Sequence, residues 1–210
     1  MNHERDREMS ETIKINIYRN KSIDELTKLL ADPDDRADIG SASASGAAVS
    51  AALLAKAADS IHRRMADHED EKLEWYVRNT EILRTYMVKL IDEDVKCRAP
   101  LFRAIKEGEE RRIEAARQTS VSICLEIINM MGKCLEISEG LLAYADSSES
   151  ADIEAGADLA YGASLAAGRF VLNMSKLSTD ETYRFVMKRE NEITMKEQKE
   201  TYDRILNRTL

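Results

Sequence analysis

Proline and glycine are scarce in this chain, which has two prolines and eight glycines in 210 residues. A β-sandwich or barrel needs many tight turns, so this scarcity argues against those folds. Hydrophobic residues make up 43% of the chain, and the abundant Ala, Leu, Glu, Lys, Arg and Met favour helix. A chain of this length removes well over half of its unfolded surface from water. The composition therefore predicts an all-α protein, a bundle of long antiparallel helices.

Cysteine and histidine are also few, and their spacing excludes several kinds of site. The three cysteines, Cys97, Cys124 and Cys134, form no CxxC pair. An odd set of this kind fits neither a disulfide framework nor a thiolate zinc site, so we expect idle or buried thiols. The three histidines lack the spacing of di-iron bundles and zinc proteases, and we expect no metal. The chain also has no P-loop and no nucleophile elbow.

Charge of one sign is not concentrated anywhere along the chain. The formal net charge is −8, and basic residues are interspersed with acidic ones. Duplex nucleic acid is therefore not an expected partner. No apolar run reaches the roughly 18 residues that a membrane span needs. The first residues lack the apolar segment of a secretory signal, so we expect a cytoplasmic protein without a membrane partner.

The N-terminal third changes pattern twice. Ile13, Ile15 and Ile17 alternate with polar residues, which predicts an extended arm over residues 1–20, before a single helical domain over 21–210. A capping box, Ser22-Ile-Asp-Glu25, predicts a short helix that ends before Pro33. Residues 33–46 predict a loop of small residues that opens an Ala-rich helix from Ala47 to about Met65.

The remaining pattern predicts further long helices. An apolar face begins at Leu73 and is expected to break at Pro100, and a second amphipathic stretch runs from about Gly108 to Tyr144. A polar loop over residues 146–150 precedes a helix with a small-residue face from Ala151 to Met174. A second capping box, Ser178-Thr-Asp-Glu181, predicts the start of a charged final helix.

The order of these elements and motifs resembles the formiminotetrahydrofolate cyclodeaminase and methenyltetrahydrofolate cyclohydrolase family across residues 22–205. The family's opening segment is similar to Ser22-Ile-Asp-Glu-Leu26, and its glycine-rich loop is similar to Ile39-Gly-Ser-Ala-Ser43. Its Val-Asp-x-Asp-Ala segment resembles Ile91-Asp-Glu-Asp-Val95. Its later helix start and closing motif resemble Ala151-Asp-Ile-Glu-Ala-Gly156 and Leu172-Asn-Met-Ser-Lys-Leu-Ser-Thr-Asp-Glu181.

This resemblance implies a set of site residues. Asp152 takes the place of the catalytic acid/base, although a gapless count back from Asn173 puts Ala151 there. A carboxylate in the first turn of a helix faces a partial positive charge that stabilises its ionised form. The alternative interpretation is that Asp152 is an ordinary first-turn acid without a catalytic role. Arg169 replaces the first of two family asparagines, and its burial would require an acidic partner or a ligand carboxylate. The implied ligand-binding residues are Gly40, Ser41, Ser43, Asp94, Arg169 and Asn173.

Two hypotheses on function stay open at this level. The first is an enzyme that acts on the bridge carbon of a tetrahydrofolate derivative, with Asp152 as acid/base and residues 40–46 lining the pterin pocket. The second is a non-catalytic helical homodimer of the same fold that binds another ligand or protein. If the enzyme hypothesis holds, Asp152, Asn173 and Ser41–Ser45 converge on one pocket at the interface of a homodimer.

Overall fold

The computed structural model describes residues 17–67 and 69–208, which fold into α-helices joined by short turns. This confirms the all-α prediction for the described residues. The arm predicted over residues 1–20 lies outside them up to residue 16; its last residues, Tyr18–Asn20, form a single 3₁₀ turn. The α-helices are α1 (Ile23–Ala31), α2 (Ile39–Arg64), α3 (Glu71–Glu107), α4 (Glu110–Ser120), α5 (Ser122–Leu141), α6 (Ser147–Lys176) and α7 (Glu181–Arg208).

Side-chain caps define the starts of most of these helices. The predicted capping box at α1 is confirmed, since the Ser22 hydroxyl accepts from the Glu25 N–H and the Glu25 carboxylate accepts from the Ser22 N–H. An equivalent box of Asp146 and Glu149 starts α6 at Ser147. The predicted polar loop over 146–150 is therefore wrong. At α7 the N-cap is Asp180, which accepts from the Tyr183 N–H at 3.0 Å, because Ser178 donates to Glu114 instead.

The small-residue segment of residues 40–46 is not a loop as predicted but the start of α2. Asp38 accepts from the Ile39 N–H at 2.7 Å and so begins the helix eight residues before Ala47. Several of its small side chains are buried against neighbouring helices, so packing offsets the weak helix propensity of glycine. The buried residues of this segment are Gly40, Ser41, Ser43 and Ala44.

The break predicted at Pro100 is also absent, because α3 continues through it to Glu107. Proline removes one backbone hydrogen bond from a helix, but Leu101 and Ala104 just beyond it are buried and hold this end of α3 in place. The helix ends instead at Gly108, which has a φ of 71°. The single stretch predicted over 108–144 is interrupted at Val121, between α4 and α5.

α2 and α6 run antiparallel along each other at the centre of the bundle. The Ser50 hydroxyl donates to the Gly156 carbonyl oxygen at 2.7 Å, and Gly156 has room for the Leu54 side chain at its Cα. Near the other end of this pair Arg64 donates to the buried Glu149 at 2.6 Å. α3 and α5 pack against α2, and α5 and α7 pack against α6. The hydrophobic core between these helices contains fully buried side chains such as Leu54, Ile61, Met87, Ile127 and Met131.

The three thiols behave as predicted from their spacing. All three are free, and Cys124 and Cys134 are buried. Burial raises the pKa of the Cys134 thiol to about 12, and it also raises the pKa of Cys124. The two buried thiols, Cys124 and Cys134, are therefore protonated and unreactive at neutral pH.

Candidate functional site

A buried carboxylate lies against the first turn of α2. Asp94, on α3, has no exposed surface, and its Oδ2 accepts from the Ser41 N–H at 3.0 Å. The Ser41 hydroxyl lies 3.0 Å from the same oxygen and 3.1 Å from the Ile91 carbonyl oxygen. The first turn of a helix has N–H groups without intrahelical partners, so Asp94 satisfies one of them. The predicted residues Gly40, Ser41 and Asp94 are thus brought together.

Gly40 makes this approach possible. A Cβ atom built on Gly40 would lie 1.9 Å from Oδ1 of Asp94 and 2.4 Å from its Cγ. No side chain larger than hydrogen fits at that distance, so glycine is needed here for space and not for a turn. Ser43, one turn along, is also buried.

An arginine that the sequence did not single out completes this cluster. Arg98 follows Asp94 by one turn of α3 and is 7% exposed. Its Nη2 donates to Asp38 at 2.6 Å. Its guanidinium lies 5.3 Å from the ring centre of Phe102 and 5.2 Å from that of Phe170, on α6. Arg98 therefore ties the start of α2 to the C-terminal half of α6.

The cluster keeps several buried polar atoms without hydrogen-bond partners among the described residues. They are Oδ1 of Asp94, Nε and Nη1 of Arg98, and Oγ of Ser43. Buried polar groups in proteins are almost always paired, and leaving one unpaired costs about 1–3 kcal/mol. The unpaired atoms of Asp94 and Arg98, one acceptor and two donors, form a set suited to a ligand that has both kinds of group.

Burial also sets the protonation of Asp94. Its removal from water raises the pKa of the carboxyl, an effect that Arg98 and the bonds from Ser41 oppose. A carboxyl of this kind is closer to accepting a proton at neutral pH than a surface aspartate.

The predicted acid/base, Asp152, lies elsewhere on the bundle. Its carboxylate forms an ion pair with Lys56, with Nζ at 3.0 Å from Oδ1 and 2.8 Å from Oδ2. Because α6 begins at Ser147, Asp152 lies in its second turn. The predicted first-turn position is therefore wrong, and Lys56 is the positive group beside this carboxylate. Lys56 is 16 residues beyond Gly40 on α2, about 24 Å at 1.5 Å per residue.

Arg169 and Asn173 lie near the Arg98 end of α6 and are both exposed. Burial of Arg169 would require an acidic partner or a ligand carboxylate, and the structure leaves this side chain exposed. Asp152 and Asn173 are 21 residues apart on the one helix α6, about 31 Å at 1.5 Å per residue. Within one chain, the predicted residues thus form two groups at opposite ends of the α2–α6 pair, and Asp152 does not converge with Asn173 and Ser41–Ser45.

The first acid of the Ile91–Val95 motif has a structural contact. Asp92 accepts from the Arg19 N–H at 3.1 Å, and Arg19 Nε lies 3.2 Å from its other oxygen. This carboxylate attaches the 3₁₀ turn at Tyr18–Asn20 to α3. The two acids of the motif therefore face different parts of the protein.

Other surfaces of the described residues add little to this site. A shallow cleft of about 390 Å³ lies between α3 and α4 and is lined by Pro100, Arg103, Glu107 and Arg112 among others, so it contains none of the predicted residues. In the described parts of the chain no group of three or more His, Cys, Asp or Glu side chains is placed to hold a metal ion. Within the same parts no helix is long and apolar enough to cross a membrane.

The helix order defines an all-α bundle in which a buried carboxylate lies against the start of α2. The model of the formiminotransferase-cyclodeaminase family matches residues 22–193, so the chain belongs to that family. The fold is similar to that of formiminotetrahydrofolate cyclodeaminase from Thermotoga maritima, with a TM-score of 0.78 and 20% sequence identity. The similarity covers 89% of this chain and 94% of the other. A comparison with curated protein sequences gave no match.

Proposed function

We propose that the protein is an enzyme of folate one-carbon metabolism that acts on the bridge carbon of the cofactor. It is either a 5-formiminotetrahydrofolate cyclodeaminase or a 5,10-methenyltetrahydrofolate cyclohydrolase. The observation that carries this proposal is the family match over residues 22–193. The buried cluster of Asp94 and Arg98, with its unpaired polar atoms, supports it independently of the match.

Both reactions need a group that takes up and returns a proton. In ring closure, N10 attacks the formimino carbon, a C–N bond forms, N10 loses its proton, and the former imino nitrogen leaves as ammonia after protonation. In hydrolysis, a water oxygen adds to the methenyl carbon and loses a proton, and a ring C–N bond then breaks as its nitrogen is protonated. We assign this role to Asp152, whose carboxylate is held by Lys56 at 2.8 Å.

The start of α2 is the proposed pterin pocket. A pterin ring has N–H donors beside ring-nitrogen and carbonyl acceptors. Oδ1 of Asp94 and the Ser43 hydroxyl match the donors, and the free N–H groups of Arg98 match the acceptors. Gly40 and Ser41 keep Asp94 in position. Arg169, exposed near this end of α6, is suited to pair with a carboxylate of the glutamate tail, and Asn173 to hydrogen-bond the ligand.

Several further properties belong to this proposal. The acid–base steps need only protein side chains, so we propose a metal-free reaction with a tetrahydrofolate derivative as substrate. We also propose that the enzyme works in the cytoplasm as a homodimer. The alternative of a non-catalytic homodimer gains no support from the family match or from the fold.

Turnover of the two substrates tests this function. Purified protein mixed with 5-formiminotetrahydrofolate is expected to produce the near-ultraviolet absorbance of the methenyl product together with one equivalent of ammonia. Mixed with 5,10-methenyltetrahydrofolate, a cyclohydrolase is expected to remove that absorbance faster than buffer alone. Rates that persist in EDTA would support a metal-free reaction. A folded protein with no rate above buffer on either substrate would overturn the proposal in favour of the binding protein.

A further inference from the structure

We propose that Lys56 is a second proton-transfer residue of the reaction, the group that delivers a proton to the leaving nitrogen while Asp152 takes one up. The assignment deepens the proposed function and rests on it. It is carried by the open ion pair that Lys56 of α2 forms with Asp152 of α6.

Lys56 is an isolated charge in its part of the sequence. It follows the uncharged run of residues 39–55 and is the first charged residue of α2. Its Nζ lies 3.0 Å from Oδ1 and 2.8 Å from Oδ2 of Asp152 on the neighbouring helix. An ion pair whose lysine side chain is 68% exposed adds little to stability. The stability of the fold therefore gives little reason for a charge at this position.

A second ion pair joins the same two helices and has a different character. Its carboxylate, Glu149, is buried and accepts from both Arg64 and the Ser60 hydroxyl. These contacts close it off from a ligand. The Asp152 carboxylate is partly exposed, and Lys56 is its one hydrogen-bond partner among the residues that the structure describes. The Lys56–Asp152 pair is therefore open to a ligand, whereas the other pair is structural.

The open pair keeps hydrogen-bonding capacity on both of its members. An ammonium group has three N–H donors, and the two oxygens of Asp152 engage at most two of them. Each carboxylate oxygen accepts more than one hydrogen bond, so acceptor capacity is also left. A proton donor and a proton acceptor thus lie side by side, 2.8 Å apart. Both candidate reactions need such a set, because each removes a proton from one atom and adds a proton to another.

In ring closure the protons balance across this pair. Starting from the protonated formimino group, N10 attacks its carbon, a C–N bond forms, and the N10 proton passes to the Asp152 carboxylate. Lys56 gives a proton to the former imino nitrogen, whose bond to carbon breaks as it leaves as ammonia. Asp152 then returns its proton to Lys56 across the 2.8 Å contact. The net result moves one proton from N10 to the departing ammonia and leaves both side chains unchanged.

Hydrolysis uses the pair in the same way. The water oxygen adds to the methenyl carbon and gives up its two protons in turn to Asp152, the second as the carbonyl group forms. One of these protons reaches the leaving ring nitrogen through Lys56 as its C–N bond breaks. The other is released to solvent.

Substitutions of Lys56 separate proton delivery from simple positioning of Asp152. Lys56→Ala is expected to lower kcat by about 100-fold and to leave KM within about two-fold, since the donor is gone. Lys56→Arg keeps a positive charge beside Asp152, but a guanidinium does not give up its proton in proteins, so a comparable loss is expected. Methylammonium should restore at least about a tenth of the wild-type kcat to Lys56→Ala, because the exposed position admits a small amine. It should leave Lys56→Arg unchanged.

Arg63→Ala is the matched control for loss of an exposed ion pair on the same helix. Arg63 lies 2.6 Å from Asp59, and its removal should leave kcat within about two-fold of the wild type. A Lys56→Arg variant with the wild-type kcat would reduce Lys56 to a positioning residue and overturn the assignment. A loss in Lys56→Ala that methylammonium does not relieve would overturn it as well.

The outcomes distinguish this inference from the proposed function. Wild-type turnover together with an unaffected Lys56→Ala variant would keep the proposed function and remove the role of Lys56. A folded wild-type protein that turns over neither folate would overturn the proposed function, and the assignment of Lys56 with it.

Discussion

The Asp152→Asn variant is expected to lose at least about 100-fold in kcat on its folate substrate, the lower range for removal of a general acid/base. An amide neither takes up the proton released by N10 or by water nor returns it to the leaving nitrogen. KM should change much less, because the proposed pterin pocket is built from other residues. The change is measured by following methenyl absorbance under saturating substrate.

A matched variant on the same helix controls for charge. Glu154→Gln removes a negative charge two residues away and should keep kcat within about two-fold of the wild type, since no proton transfer is assigned to it. The ion pair lost in Asp152→Asn costs little stability, because Lys56 is 68% exposed in its side chain. A folded Asp152→Asn protein with unchanged kcat would show that another group, with Asp94 the first candidate, carries the proton.

Gly40→Ala is expected to destabilise the fold by about 1–3 kcal/mol, the usual cost of overpacking a closed core. The new methyl group would lie 1.9 Å from Oδ1 of Asp94. That carboxylate is fully buried and held by Ser41, so making room for the methyl group would strain or break this contact. The midpoint of urea unfolding should fall accordingly, with an unchanged slope.

Gly46→Ala, on the same helix, provides the comparison. Its added methyl carbon would lie 3.9 Å from the Ala163 Cβ, an ordinary contact, and alanine is the better helix former by about 1 kcal/mol. Gly46→Ala should therefore be neutral or slightly stabilising. Equal stability of the two variants would contradict the close approach of Asp94 to α2.

The sequence predicted the helices well because apolar periodicity and N-cap residues are local signals. Ser22 and Glu25 specify the start of α1 within four residues. Where prediction failed, a tertiary contact overrode the local preference. The glycine and serine content of residues 40–46 predicted a loop, yet these residues are helical because they are buried against α3 and α6. Pro100 predicted a break in the helix, yet the buried Leu101 and Ala104 keep α3 continuous.

Part of the candidate site was predictable and part was not. The resemblance led to Gly40, Ser41 and Asp94, which the structure joins through two contacts of 3.0 Å. Arg98 was missed, although a signal was present: it falls on the apolar stripe of α3, where a charge is unexpected. Its contact with Asp38 crosses 60 positions of sequence, and no spacing rule gives such a pair.

The position of Asp152 shows a different limit. Helix spacing alone sets it about 31 Å from Asn173 in one chain, so the expected convergence depends on a second copy. A pattern within one sequence does not directly give the position of a symmetry axis between two subunits.

A hybrid dimer tests most directly the central claim that each site takes its acid from one subunit and its ligand-binding groups from the other. An Asp152→Asn chain and an Asn173→Ala chain, given different affinity tags and co-expressed, are purified as the mixed dimer. One of its two sites then has both changes and the other has neither, so about half of the wild-type activity per dimer is expected, far above either parent. A mixed dimer no more active than the mean of its two parents would contradict the shared site.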